Sequence, residues 1–391
     1  ANLFNKNKEH RGIMPIGDGE TLSIGAQTNG SYYQSYNAGY STGWLGGKRP
    51  LQFSYNMFFS KQTDVNSNYY NQSWMTNYYN YMGGYGSYNY GYNNYQNYYD
   101  PDKYIKLFGA SIGIGKRLRW PDDYFVLSMN VSFTRYMLKN WRYFLITTGN
   151  CNNLNFGVSL SRTSTDNQLF PRRGSEFELS VSLTPPWSVF DGKDYKNLAT
   201  DALSKNYAKE QQDKYRWVEY HKWKFKSKTY TALTNGAKCF VLMTRVEFGI
   251  LGSYNKYKKS PFETYYMGGD GMSGYSTGYA EETIGLRGYD NGSLTPYYQE
   301  GYAYDRFTLE LRYPFMLGNT TIYGLTFVEA GNAWNDVKKF NPFDMRRSAG
   351  AGVRIFLPMV GLMGIDWAYG FDKVFGQKGG GQFHFILGQE F

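Results

Sequence analysis

The stretch FTLELRY, residues 307–313, decides how the chain folds. Phe307, Leu309, Leu311 and Tyr313 alternate with Thr308, Glu310 and Arg312. A period of two separates these residues onto two faces only in an extended strand. One face is apolar and aromatic, the other polar and charged. SEFELSVSL (175–183) repeats the pattern, with Phe177, Leu179, Val181 and Leu183 opposing Glu176, Glu178, Ser180 and Ser182. In Phe240–Ile250 the set Phe240, Leu242, Val246, Phe248 and Ile250 opposes Arg245 and Glu247. Leu51–Phe59, Phe108–Ile114, Phe125–Phe133, Leu154–Leu160, Ala349–Leu357 and Phe383–Phe391 share the rhythm, and helical periodicity is almost absent.

Working outward, about fourteen strands fall near 19–28, 32–44, 50–61, 104–117, 122–138, 150–163, 174–185, 215–233, 238–251, 302–314, 320–331, 346–357, 361–371 and 381–391. A β-sandwich would also alternate, and solvent could explain the Lys222, Lys224, Lys226, Lys228 face that opposes Trp223 and Phe225. The connections argue otherwise. Long ones (62–103, 186–214, 252–301) tend to alternate with short ones (45–49, 118–121, 234–237, 315–319, 358–360). Long loops at one end and tight turns at the other are the arrangement of an outer-membrane barrel.

Composition agrees. Forty Tyr, 27 Phe, 9 Trp and 45 Gly in 391 residues suit a β protein with many turns and aromatic girdles. The mean hydropathy of −0.58 does not exclude a membrane, because a barrel strand averages lipid-facing and lumen-facing residues. No run approaches the ~18 apolar residues of a spanning helix. There is no signal-peptide pattern, and the start at Ala1-Asn2-Leu3-Phe4 reads as that of a processed or trimmed product.

The net charge of +10 is spread along the chain rather than clustered, which argues against nucleic acid as a partner. His10, His221 and His384 form no HExxH, and neither they nor Cys151 and Cys239 have metal-ligand spacing, so no metal or cofactor is expected. The two cysteines are expected as free thiols. GGDGMSGYSTG (268–278) lacks the Gly-Lys-Ser/Thr ending of a phosphate loop. A Ser/His/Asp site could be assembled from separate barrel strands, but without a nucleophile motif no enzyme activity is expected. The Tyr/Asn-rich segment 77–100 reads as a solvated surface loop, or as an aromatic lid or docking site.

Two motifs narrow the class. The last strand, GQFHFILGQEF (381–391), ends on an aromatic, with Phe383, Phe385, Leu387 and Phe391 in one parity and Gly388 in the other. It resembles the C-terminal β-signal of bacterial outer-membrane proteins. GLRGYDN (285–291), in the longest loop, resembles the (V/I/L)RG(F/Y) signature of the BamA family of barrel-assembly proteins. LFPRRGSEFELSVSL (169–183), PFETYYMGGDGMSGY (261–275), FVEAGNAWND (327–336) and RRSAGAGVRIFLPMVGLMGIDWAYGFD (346–372) resemble further family segments in the same order. The resemblance covers most of the chain and is strongest after about residue 160.

What the resemblance implies is concrete. Residues 1–391 would be the antiparallel transmembrane β-barrel of an all-β outer-membrane protein of a Gram-negative bacterium. The family barrel has sixteen strands, preceded by POTRA domains. NLFNKNKEHRGIMPIGDGETLSIGAQ (2–27) matches the approach to its third strand, so two strands and the POTRA domains would lie upstream. Residues 252–301 would fold into the lumen, where Leu286, Arg287, Gly288 and Tyr289 lock to the wall through Glu310 and Glu329. Tyr323, Leu325 and Phe327 share the parity of Glu329.

The family function is insertion and folding of outer-membrane proteins through a lateral seam between the first and last strands. Its partners would be unfolded outer-membrane proteins, accessory subunits, outer-membrane lipids and lipopolysaccharide. Gly379, Gly380 and Gly381 open the last strand, where glycine weakens pairing and permits a kink suited to a gate. They read equally as a flexible loop end before an ordinary strand. A polypeptide-translocating relative and a passive porin are the alternative functions.

Overall fold

The computed structural model describes residues 19–45, 51–65, 99–141, 146–198, 205–260, 262–271, 281–295, 301–359, 361–374 and 380–387. Nine strands come first: β1 (Glu20–Asn29), β2 (Tyr33–Thr42), β3 (Leu51–Val65), β4 (Tyr99–Arg117), β5 (Phe125–Lys139), β6 (Gly149–Thr163), β7 (Gly174–Leu183), β8 (His221–Ala232) and β9 (Val241–Gly252). Two short ones follow, β10 (Thr264–Met267) and β11 (Glu281–Ile284). The last five are β12 (Ala303–Met316), β13 (Thr321–Trp334), β14 (Arg346–Leu357), β15 (Gly361–Gly370) and β16 (Gly381–Leu387).

Fourteen strands form one sheet in chain order, β1 to β9 and then β12 to β16. Its registered pairs are antiparallel. β10 and β11 pair in parallel in the β9–β12 connection, outside that sheet. The sequence expectation for 215–233 is corrected at its start. A helix, α1 (Tyr207–Tyr215), precedes β8, and the strand begins only at His221.

The chain divides into two compact units, each described by itself. In the first (1–114, 130–155 and 187–218), β1, β2 and β3 form a continuous meander. Here α1 is tied to the start of β6. Asn150 N–H donates to Gln212 Oε1 at 2.9 Å, and Gln212 Nε2 donates back to the Asn150 carbonyl at 2.7 Å. Trp187 and Trp217 stack beside it, with centroids 4.6 Å apart.

In the second unit (115–129, 156–186 and 219–391), burial inverts the rule for a water-soluble core. β9 alternates strictly, with Arg245 and Glu247 buried and Leu242, Val246, Phe248 and Ile250 only partly covered. On β12 and β13, Leu309 is 54% and Val328 52% exposed, whereas Glu310 and Glu329 are 2% and 0% exposed. Neighbouring strands repeat the inversion, so an apolar face is continuous across the sheet. That face suits hydrocarbon, since so large an apolar patch in water would drive association. Its aromatic residues touch in sequence from strand to strand, Phe125–Phe177, Phe177–Phe225, Phe225–Phe248 and Phe248–Phe307 lying 6.4, 5.5, 6.3 and 5.4 Å apart.

The opposite, inner face carries two layers. Toward the short turns lies an apolar cluster of Phe170, Tyr230, Cys239, Val241, Met243, Tyr323, Leu325, Phe327 and Ala368. Phe170 comes from the 164–173 connection and packs edge-on against Tyr323 at 5.3 Å. The second is charged, meets the β9–β12 loop and interlocks with the first, Arg312 lying 5.6 Å from the ring centroids of both Tyr230 and Tyr323. Cys151 and Cys239 are both free thiols.

Candidate functional site

Arg287 is fully buried at the tip of the β9–β12 loop. Its Nη2 donates to Glu329 Oε1 at 2.9 Å and to Glu310 Oε2 at 3.2 Å, and its Nη1 donates to Asp366 Oδ2 at 2.8 Å. Its main-chain N–H donates to Glu329 Oε2 at 2.9 Å, so Glu329 grips both backbone and side chain. The guanidinium lies 3.4 Å from the centroid of the Phe327 ring, at the boundary with the apolar layer. Burial disfavours the cation, but Glu329 and Glu310 outweigh it and raise the arginine's pKa. Arginine suits the position because its planar fork addresses several carboxylates in fixed directions.

Strand periodicity places the carboxylates. Glu310, Glu329 and Asp366 sit on β12, β13 and β15, each at an inward parity between apolar outward neighbours. Each also meets a wall cation. Arg312 Nε donates to Glu310 at 2.6 Å, Arg306 Nη2 to Glu329 at 2.8 Å, and Arg354 to both oxygens of Asp366 at 2.6 and 2.8 Å. Thr308 adds a donor to Glu329 at 3.1 Å. The result is an alternating lattice in which the carboxylates remain compensated by charge, the condition under which ions persist in a buried site. Space for it is made by Gly352, where a Cβ would lie 1.7 Å from Asp366 Oδ1.

The neighbours of Arg287 fix the loop backbone. Gly288 adopts φ +88°, and a Cβ there would lie 2.9 Å from Gly370 N, so neither a side chain nor an ordinary L-residue conformation fits. Leu286 is fully buried. Tyr289 donates its hydroxyl to the Arg347 carbonyl at 2.6 Å. On another side, Lys222 and Lys224 of β8 reach the loop: Lys222 Nζ lies 2.9 Å from Glu263 and 3.0 Å from Glu282, and Lys224 Nζ lies 2.5 Å from Glu282. Burial would push Glu282 up, but the two lysines outweigh it and hold its carboxyl down at about 2. A cavity of about 410 Å³ remains between loop and wall, lined by charged side chains of both signs that include Glu178, Lys226, Arg245 and Asp270.

The sequence-derived residues are therefore distributed as follows. Leu286, Arg287, Gly288, Tyr289, Glu310 and Glu329 come together. Phe383, Phe385 and Leu387 lie on the exposed apolar face of β16. Gly381 is extended and paired with Tyr369, so the kink considered for it is not found there. The Gly380 carbonyl accepts from Gly370 N–H at 3.4 Å. Gly379, Gly388 and Phe391 lie outside the described residues.

Sequence reasoning missed Asp366, Arg354, Arg306, Arg312 and the Lys222–Glu282 contacts. The available signal was a lone charge inside an apolar strand, as in GIDWA (364–368) and GVRIF (352–356). Parity identifies such a residue as inward-facing; it does not name its partner.

A sheet with an apolar exterior and a charged, loop-filled interior defines the class first: a transmembrane β-barrel of the outer-membrane type. The chain belongs to the Omp85 superfamily, whose domain model matches residues 16–391. Among solved structures, BamA from Haemophilus ducreyi lacking POTRA domains 1-3 is similar over 95% of this chain and 64% of that one, with 18% identity and a TM-score of 0.59. The chain thus spans less than two thirds of that relative. CdiB from Escherichia coli (11% identity, 90% of this chain, 52% of that chain) and CdiB from Acinetobacter baumannii (10%, 94%, 52%) each give a TM-score of 0.44. No curated protein sequence matches.

Proposed function

We propose that the protein inserts and folds outer-membrane β-barrel proteins in the outer membrane of a Gram-negative bacterium, as the central subunit of a barrel-assembly machinery. The observation that carries this reading is the tip of the β9–β12 loop, held by Arg287 against carboxylates of three separate strands. Such a loop obstructs the wide conduction path of an open pore, and it braces one wall in register while another strand opens. Residues 1–391 then act as the barrel domain, with residues 252–301 as its lumen-inserting loop.

In this reading the substrate is an unfolded outer-membrane protein whose strands pair with an exposed strand edge at a seam between first and last strands. Accessory subunits, outer-membrane lipids and lipopolysaccharide are the further partners. No bond is made or broken, so neither an enzyme activity nor a cofactor is invoked. The driving force is the substrate's own burial of apolar surface in lipid.

Reconstitution of the protein into liposomes with an unfolded outer-membrane protein tests the proposal. Folded product, read by its shifted electrophoretic mobility before boiling, should accumulate faster than in empty liposomes, and Arg287→Ala should remove most of the gain. Passage of polypeptide into the liposome without insertion would assign a translocating relative instead. A large, steady conductance without folding activity would assign a passive channel.

A further inference from the structure

The sequence treats the arginine loop and the last strand as two separate features; the structure joins them. The inner face of β16 presents Gln382, His384 and Ile386, while Phe383, Phe385 and Leu387 face outward. Two of the inward residues bond the loop tip. Gly288 N–H, immediately after the arginine, donates to His384 Nε2 at 2.9 Å, and Gln382 Nε2 donates to Asp290 Oδ1 at 2.6 Å. Gly288 and Asp290 are two residues apart, as are His384 and Gln382. The loop tip therefore matches the repeat of one face of the strand, as a neighbouring strand would.

The chemistry of the first bond is constrained. Gly288 N–H is buried, and an unpaired buried donor carries a full desolvation cost. His384 accepts it on Nε2, so the ring is neutral with its proton on Nδ1. Placing a neutral acceptor here avoids adding a fifth cation beside Arg287, Arg306, Arg312 and Arg354. Among the described residues, β16 pairs over seven positions with β15, whose Asp366 also binds Arg287. The arginine and its following glycine thus hold adjacent strands at once.

We infer that His384, supported by Gln382, is a positioning residue that couples the arginine loop to the last strand. Seating Arg287 fixes the inner face of β16, and withdrawing it frees that strand. The inference rests on the reading of β16 as one lip of a seam. It assigns to the loop the control of that lip.

Hydrogen–deuterium exchange of the full protein in detergent micelles, with no substrate present, tests the coupling separately from barrel insertion. Relative to wild type, Arg287→Ala should accelerate exchange in both 281–290 and 381–387. His384→Leu, which removes the acceptor, should accelerate 381–387 by about tenfold, the effect of one lost buried hydrogen bond. His384→Gln, which returns an acceptor oxygen at similar reach, should restore most of the protection. Exchange in β9 (241–252) should not change.

Should His384→Leu fail to fold, Gln382→Leu reads the second bond in the same peptides. The coupling is overturned if Arg287→Ala frees 281–290 and leaves 381–387 as protected as in wild type, or if the Gln and Leu variants at 384 behave alike. If the coupling holds but the liposomes show no folding activity, the function proposal fails and the coupling stands.

Discussion

Two layers of one inner wall solve the problem of filling a barrel in opposite ways. β13 passes through both, contributing Tyr323, Leu325 and Phe327 to the apolar layer and, two residues later, Glu329 to the charged one. The apolar layer is packed like a soluble core, with Phe170 inserted from a connection and edge-on against Tyr323. The charged layer is equally buried, yet it is held by directional bonds among arginines and carboxylates. Dispersion contacts tolerate small displacements. A three-carboxylate grip on one guanidinium is directional and tolerates less.

The largest effect should come from breaking the charged layer. Arg287→Ala leaves Glu310, Glu329 and Asp366 with one fewer cation, and loss of one partner from a buried pair costs roughly 3–5 kcal/mol. Water in the adjoining cavity should bring the loss toward the lower end, read as a fall in the temperature at which the barrel unfolds in detergent. Arg287→Lys should recover only part of it, because an ammonium cannot span three carboxylates. A lysine variant as stable as wild type would show that charge, not geometry, makes the lock.

Next comes the apolar layer. Phe170→Ala should cost about 3 kcal/mol, as for large-to-small changes in a packed core. It should also admit thiol reagents to Cys239, which is buried in the same cluster. Arg287→Ala should leave Cys239 as unreactive as before. If it opens Cys239 as widely as Phe170→Ala does, the two layers are one cooperative unit.

A smaller effect separates the two faces of the wall. Leu179 lies on the exposed apolar face, and Ser161, opposite Glu178, lines the inner cavity. Leu179→Arg should cost about 2 kcal/mol if that face meets lipid. Ser161→Arg, beside a carboxylate and water, should be nearly neutral. Equal costs, measured by urea unfolding in lipid vesicles, would overturn the assignment of faces.

The smallest effect is the pH response of the loop's second anchor. The carboxyl of Glu282 is held at about 2, below its ordinary value of 4.5. A depressed carboxylate contributes its full stability above the unfolded value and loses it as pH falls through the folded one. The difference in melting temperature between wild type and Glu282→Gln should therefore stay constant from pH 7 to about 4.5 and close toward pH 2. A gap that closes above pH 5 would mean the anchor is wetter and weaker than its contacts with Lys222 and Lys224 imply.

The sequence by itself determined the strands and their faces. A period of two assigns Leu309 outward and Glu310 inward without reference to any other part of the chain, because side-chain direction in a strand is a local property. The alternation of long and short connections and the LRGY motif were legible for the same reason, each being contained in one contiguous stretch. Local periodicity misjudged the start of β8, where residues 207–215 form a helix and 216–220 stay outside the strand. It also left open whether Gly381 bends, and there the pairing with Tyr369 holds the backbone extended.

Only the tertiary structure decided who meets whom. Asp366 lies 79 residues from Arg287 and His384 lies 96 from Gly288, yet each is within hydrogen-bonding distance of its partner. Nothing in the periodicity of β15 or β16 distinguishes an inward residue that touches the loop from one that lines water. That distinction depends on how far the loop descends and on which strands it reaches. It was set by the fit of Gly288 against Gly370 and by the demand of one buried guanidinium for compensating charge from several strands at once.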